Sequence, residues 1–192
     1  MKNPVSRRLV LTSLTVLLST LSISLHAAPP TVAQQIVDTQ GLLSSAATKA
    51  TAALAASPDL SALLKQTLDS LTKNQDTAAL QSLGKLTAAK LTPAQVTVVN
   101  QVRDEAASLV LQRNLSAVTP ALAGPVHTTV TALQAGNYPA AIQGLNSLSS
   151  QASLTAPQKD LLKSVLGQYA PAAAKAADAA TQAAGALKGF GL

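Results

Sequence analysis

Leu91-Thr92-Pro93-Ala94-Gln95-Val96 has the signature of a helix start. Thr92 and Gln95 have the spacing of a capping box, in which the side chain of each residue accepts a hydrogen bond from the backbone N–H of the other. Leu91 and Val96 have the spacing of a hydrophobic staple, and Pro93 falls in the first turn, where a helix needs no N–H. We therefore predict a helix from here, with the inner face Val99, Val102, Ala106, Leu109 and Val110.

Helical periodicity extends over nearly all of the chain from Thr31 onward. Ser57-Pro58 predicts another helix start, followed by leucines on one helix face at positions 60, 63, 64, 68 and 71. The turn Asn74-Gln75-Asp76 then leads to a shorter helix with Leu80, Leu83 and Leu86. No stretch alternates with a period of two, so the fold class that we predict is all-α.

The same pattern returns about 62 residues later. Ser57-Pro58 corresponds to Thr119-Pro120, and Ala78-Ala79-Leu80-Gln81 to Ala140-Ala141-Ile142-Gln143. After one inserted residue, Leu91-Thr92 corresponds to Leu154-Thr155, and Gln95 to Gln158. Agreement of caps, turns and apolar positions over a whole unit indicates an internal duplication.

The duplication predicts an antiparallel helical bundle or a short α-solenoid-like array. Its two similar three-helix units cover about residues 57–113 and 119–176, after a long N-terminal helix, Thr31–Ala56, and before an Ala-rich tail, 177–192. The long helix is rich in small residues, and we expect it to pack closely on another helix through Ala46, Ala50 and Ala53. A weaker similarity of Ala33-Gln34 to Ala94-Gln95 suggests that this opening helix copies the third helix of a unit.

The segment Ala135-Gly136-Asn137-Tyr138-Pro139-Ala140-Ala141 resembles one turn of the tetratricopeptide repeats. The resemblance covers this turn alone, since the period here is about 62 residues rather than the roughly 34 of that family. No function is carried over from it. A Gly after one helix and an Asn N-cap before the next account for the same residues.

The first residues have the three-part layout of a secretory signal. A basic start at Met1–Arg8 precedes an uncharged apolar stretch, Leu9–Leu25, and small residues precede Pro29. We predict that a signal peptide, 1–27, is cleaved after Ala27, and that 28–192 form one helical domain, soluble in the periplasm or outside the cell. An anchoring helix is less favoured because the stretch is short and diluted by Ser and Thr.

The sequence does not decide between two export pathways, the twin-arginine pathway and the general secretory pathway. Ser6-Arg7-Arg8-Leu9-Val10-Leu11-Thr12 resembles the twin-arginine signal, with Val10 in the place of the usual Phe and Thr12 in the place of the Lys. The adjacent Arg7 and Arg8 also occur in general secretory signals. Both routes lead out of the cytoplasm, so the predicted location does not depend on this choice.

Composition excludes several kinds of site. Only 11% of the 192 residues are charged, against roughly 25% in an average domain, and there is no Cys. Thiolate metal sites, disulfides and cysteine nucleophiles are therefore excluded. Cleavage would leave His127 as the sole histidine, too few for a multi-His metal site. It would also lower the net charge from +6 to +3, which argues against nucleic acid as a partner.

The remaining polar residues do not form a recognisable active site. His127 has no Asp or Glu within a turn to orient it. Asp104 and Glu105 diverge by about 100° around a helix, and with Arg103 beside them we interpret all three as a solvated charged face. Pairs at helical spacing, Asp69–Lys73 and Asp160–Lys163, are expected on the surface. We predict no catalytic residue, no cofactor and no metal.

The sequence thus favours an exported, non-enzymatic helical protein that acts by protein–protein contact. It would be a small scaffold or binding module of the cell envelope, with an unidentified envelope protein as partner. The aromatic residues Tyr138, Tyr169 and Phe190 are expected in its core. The alternative is binding of apolar ligands or lipid surfaces by amphipathic helices, which is less favoured because Lys/Arg-rich polar faces and Trp are absent.

Overall fold

The computed structural model describes residues 30–169, which are helical and contain no strand. The predicted signal peptide with Arg7, Arg8 and Ala27, the tail and Phe190 lie outside the described residues. The helices are α1 (Val32–Leu54), α2 (Pro58–Thr72), α3 (Asp76–Ala88), α4 (Pro93–Leu111), α5 (Ala123–Gln134), α6 (Tyr138–Ser149) and α7 (156–169). A π-helical turn, Gln112–Ser116, extends α4, and a 3₁₀ turn, Pro120–Leu122, precedes α5.

The predicted caps at the starts of α4 and α6 are confirmed. The Thr92 hydroxyl accepts from the Gln95 backbone N–H at 3.4 Å, and the Gln95 side chain accepts from the Thr92 N–H at 3.0 Å. The Asn137 side chain caps α6 at 3.3 Å. Ser57 occupies the N-cap position of α2, but its side chain makes no capping bond.

The α4 helix lies at the centre of the fold. It packs against α1, α3 and α5. Because several helices surround it, the run 106–111 is buried all the way round. The most extensive contact in the described fold is between α4 and α1, where Ala46 and Ala50 are buried and Ala53 is partly buried.

Two glutamines extend the helix starts into contacts between helices. The Gln95 amide also donates to the Ala53 carbonyl near the end of α1, at 3.2 Å. The Gln158 amide in α7 donates to the Asn114 carbonyl, at the end of the α4 extension, at 2.9 Å. Each contact satisfies a carbonyl that the end of a helix leaves without an intrahelical partner.

One surface pair forms as predicted and the other does not. Lys163 and Asp160 are 3.3 Å apart. Asp69 pairs with Lys65, at 2.6 Å, and the prediction of Asp69–Lys73 is wrong. The reason is that α2 ends at Thr72, so Lys73 leaves the helical geometry, whereas Lys65 lies one full turn before Asp69 on the same face. Among the described helices, none is long and apolar enough to cross a membrane.

We expect Ala50→Leu to lower the melting temperature, because Ala50 has no exposed surface and no room for a larger side chain at the α1–α4 contact. Overpacking of this kind costs roughly 1–3 kcal/mol of unfolding free energy. The control is Ala52→Leu on the exposed face of the same helix. Thermal unfolding followed by circular dichroism measures both variants. Equal melting temperatures for them would contradict close packing at Ala50.

Candidate functional site

The structure overturns the interpretation of residues 103–105 as a solvated charged face. Arg103 is 4% exposed and Asp104 is 8% exposed, while Glu105 is partly buried and accepts from the Gln134 amide at 2.9 Å. The physical reason is the central position of α4. A helix with neighbours on two sides has too little free surface to turn three consecutive side chains to solvent.

Asp104 is the centre of a buried polar cluster. One carboxylate oxygen, Oδ1, accepts from Arg103 Nε and Nη2, at 3.0 and 2.9 Å, and from the Tyr169 hydroxyl at 3.0 Å. The other oxygen, Oδ2, accepts from the Tyr138 hydroxyl at 3.0 Å. The cluster therefore joins α4, α6 and α7.

The aromatic rings of the cluster complete the environment of the guanidinium. Arg103 lies over the rings of Tyr138 and Tyr169, with its central carbon 4.9 and 4.4 Å from their centroids. The rings themselves are 5.6 Å apart. Two cation–π contacts replace part of the hydration that a buried cation loses. The expectation of a core position is confirmed for Tyr169, whereas Tyr138 is partly buried and packs against the core.

The surroundings shift the pKa values of the whole cluster. Burial raises the pKa of Asp104, and the bonds from Arg103 and the two tyrosines oppose that rise. Burial, the largest single influence, would lower the pKa of Arg103, but the charge and hydrogen bonds of Asp104 together with the two tyrosines raise that pKa overall. Burial and the same carboxylate raise the pKa of Tyr138, and raise that of Tyr169 well above its ordinary value. Four donors aimed at one carboxylate favour its charged form, whereas its burial opposes that form.

This occupancy limits the chemistry of the cluster. Oδ1 of Asp104 accepts three hydrogen bonds and Oδ2 accepts one, all from side chains of the cluster itself. The tyrosines hold their protons more tightly than free tyrosine, which is the opposite of what a tyrosine base requires. The arrangement is suited to holding three helices together.

A second polar cluster fixes the turn between α2 and α3. Arg113, in the π-helical turn, donates to the Leu71 carbonyl at 3.1 Å and to the Asn74 side chain at 2.6 Å, and it pairs with Asp76. The other carboxylate oxygen of Asp76 accepts from Asn114 at 2.6 Å. The widened, π-helical turn at the end of α4 lets Arg113 and Asn114 both reach the carboxylate of Asp76.

The remaining candidates of the sequence are not brought together. His127 is exposed on α5, and no carboxylate of the described residues pairs with it. Within residues 30–169 there is no cluster of three His, Asp or Glu side chains with the arrangement of a metal site.

An open cleft lies between α1 and α2, with a volume of about 540 Å³. Its floor is formed by the buried Leu43, Leu71 and Leu109. The exposed Gln40 lies at its rim, and Arg113 lies at one end. We call this the α1–α2 cleft.

A larger groove, of about 800 Å³, lies where the end of α3, the start of α4 and residues 167 and 168 of α7 meet. Its lining includes Lys90, Leu91, Val96, Asn100, Arg103 and Gln168. Gln168 of α7 approaches α3 closely and donates to the Leu80 carbonyl at 3.0 Å. A Cβ at Gly84 would lie only 3.0 Å from the same amide nitrogen. We call this the α3–α4 groove.

Sequence reasoning missed the role of the Asp104 cluster, although a signal was present. The run Ala106-Ala107-Ser108-Leu109-Val110-Leu111 has almost no polar face, which is typical of a helix buried all round. Charged residues one turn before such a run are therefore expected to be buried and paired. The identity of the partners, in α6 and α7, has no sequence signal of this kind.

No protein-family model matches the chain, and no curated protein or solved structure is detectably similar to it.

We expect Tyr169→Phe to destabilise the fold by roughly 1.5–3 kcal/mol at neutral pH, because the buried carboxylate of Asp104 loses one hydrogen bond. Tyr138→Phe is the matched control. Tyr138 is only partly buried, so water replaces its hydroxyl and the cost is smaller. Urea unfolding measures the loss of unfolding free energy in both variants. Equal losses would contradict the greater contribution that we assign to the Tyr169 hydroxyl.

The same variant changes the response to alkaline pH. Because the pKa of Tyr169 is raised on folding, the folded protein keeps this proton when an unfolded tyrosine, with a pKa of about 10, has lost it. The free energy of unfolding therefore falls as pH rises above about 10. The fall should be shallower in Tyr169→Phe than in the wild-type protein.

Proposed function

We propose that the protein is an exported, non-enzymatic helical protein that acts by contact with another protein, as a small scaffold or binding module of the cell envelope. One observation carries this proposal: the α3–α4 groove is open and presents the side chain of Val96, 40% exposed, beside polar groups. The buried ionic clusters around Asp104 and Asp76 support it, because they are occupied in contacts between helices. Export rests on residues 1–27 alone.

We further propose that the helices form a short array of two similar three-helix units. Pro58 and Pro120 both stand at the first helical position of a turn, 62 residues apart. Asn74 and Gly136, also 62 residues apart, both have positive φ, 56° and 67°, at the turn inside each unit. The two glutamine contacts between successive long helices, from Gln95 and Gln158, support the same division.

In this proposal α1 is a capping copy of the third helix of a unit. Thr31 caps α1 by accepting from the Gln34 N–H at 3.3 Å, as Thr92 does for Gln95. When α1 and α4 are aligned at these caps, several positions that are buried in α4 correspond to exposed positions in α1. The buried residues of α4 are Val99, Val102, Ala106 and Val110. The corresponding exposed residues of α1 are Asp38, Gly41, Ser45 and Lys49.

A polar outer face on the terminal helix is the usual way in which a helical array ends. In this proposal α1 ends the array, although Val37 and Leu42 are exposed beside its polar residues. Contact with a partner would use the grooves on its sides. Nucleic acid is not a proposed partner, and a membrane surface is less favoured than a protein.

A photo-crosslinking amino acid at position 96, in the α3–α4 groove, tests the contact function. In the cells that produce the protein, we expect a defined adduct with one envelope protein. The control places the same group at Val118, which is 67% exposed and does not line the groove. Adducts from position 96 that are absent from position 118 support the proposal. A purified protein that stays monomeric and yields no adduct at position 96 would overturn it.

A second candidate function, binding of a small apolar ligand, is favoured by the α1–α2 cleft. Its volume of about 540 Å³ falls within the range of small-molecule sites, and its floor is apolar. Ala47 belongs to this floor, 8% exposed, whereas the neighbouring Thr48 is exposed and does not line the cleft.

The neutral fluorescent probe N-phenyl-1-naphthylamine tests this candidate. We expect its emission to rise with the wild-type protein and with Thr48→Phe, and to rise less with Ala47→Phe, whose ring would fill the cleft. Equal emission from both variants, with circular dichroism showing both folded, would contradict binding at this place. Flotation with neutral and anionic vesicles tests the lipid-surface version, which is abandoned if the protein does not co-float.

A further inference from the structure

The apolar part of the α3–α4 groove is formed by residues at the start of α4. Leu91 and Val96, predicted as a staple across the helix start, both line the groove, and Val96 remains 40% exposed. The exposed large apolar side chains of the described residues are Val37, Leu42, Val96 and Val118; Val96 lines this groove, and Leu42 lines a smaller depression beside α1. An apolar side chain of a partner would find here a surface that it can remove from water.

The charged part of the same groove is positive. Among residues 30–169, the charged residues that line it are Lys90 and Arg103, and none of the lining residues carries a carboxylate. Arg103 directs Nε and Nη2 to Asp104, whereas its Nη1 makes no hydrogen bond to the described residues. The exposed Lys90 supplies the net charge, since the charge of Arg103 is balanced by Asp104, and Arg103 supplies a rigid N–H donor.

The groove also offers groups that bond to a peptide backbone. Asn100 projects from α4 and is partly buried, with an amide that both donates and accepts. Gln168 also lines the groove, and its buried side-chain oxygen, Oε1, has no hydrogen-bond partner among residues 30–169. A short extended or helical segment has backbone N–H and C=O groups at its ends that match the donor and acceptor of the Asn100 amide.

We infer that the α3–α4 groove takes a peptide segment of the partner protein that carries a carboxylate beside an apolar side chain. This inference rests on the proposed contact function and names the chemistry of the partner. The carboxylate would lie at Lys90 and the open N–H of Arg103, and the apolar side chain on Leu91 and Val96. Charge complementarity selects an acidic segment over a neutral or basic one, whereas the buried apolar area provides most of the affinity.

Titration of the ¹⁵N-labelled full-length protein with two synthetic peptides tests the inference. The acidic probe is acetyl-Leu-Glu-Ala-Leu-Glu-Leu-amide, and the neutral probe has Gln in place of both Glu. We expect saturable shifts of the backbone amides at Lys90, Val96, Asn100 and Gln168. The acidic peptide should bind about three- to fivefold more tightly than the neutral one, with a difference that shrinks as salt is added.

Two charge-reversal variants localise the effect. Lys90→Glu should remove the preference for the acidic peptide, since it places a carboxylate in the groove. Lys85→Glu makes the same change of net charge at an exposed position of α3 that does not line the groove, and it should leave the preference unchanged.

Each result bears on the inference. Equal affinity for the two peptides, shifts confined to other surfaces, or no binding of either peptide would overturn it. The crosslink at position 96 separates this failure from failure of the proposed function. If position 96 forms an adduct but the acidic peptide does not bind, the contact function stands and the acidic segment is rejected. The same conclusion follows if the crosslinked partner is a second copy of this chain.

Discussion

The ionic and hydrogen-bonded contacts of the Asp104 carboxylate connect the parts of the fold that are distant in sequence. Arg103 lies next to Asp104 in α4, but Tyr138 and Tyr169 come from α6 and α7. A buried carboxylate is costly unless every oxygen is paired, and here four donors satisfy it. The α6 and α7 helices must therefore lie where their hydroxyl groups meet one charge, which restricts how they pack on α4.

The low charge of the chain is consistent with this use of its ionisable groups. The described residues form two buried ionic clusters, at Asp104 and Asp76, and each joins elements distant in sequence. Between the elements, glutamine side chains such as Gln95 and Gln158 satisfy carbonyls at helix ends without adding charge. Neutral amides thus perform connections that many proteins make with salt bridges, and they carry a lower desolvation cost.

Local features of the fold were predictable where neighbouring residues settle the free energy. The capping box of Thr92 and Gln95, the Asn137 cap and the start of α2 at Pro58 follow from contacts within one helical turn. The burial of Arg103 and Asp104 was predicted wrongly, because it depends on helices that lie more than 30 residues away. The pairing of Asp69 with Lys65 was missed because it depends on the residue at which α2 ends.

The sequence by itself determined the helical class, the starts of several helices and the absence of cysteine chemistry, because periodicity, capping and composition are local properties. Only the tertiary structure decided that α4 is central, that Asp104 meets two tyrosines, and that Lys90, Val96 and Arg103 line one groove. The physical reason is that burial and the neighbours of a side chain depend on how helices pack. A single apolar stripe on a helix predicts that one face packs against a neighbouring helix. Which further helices pack against α4 depends on residues elsewhere in the chain.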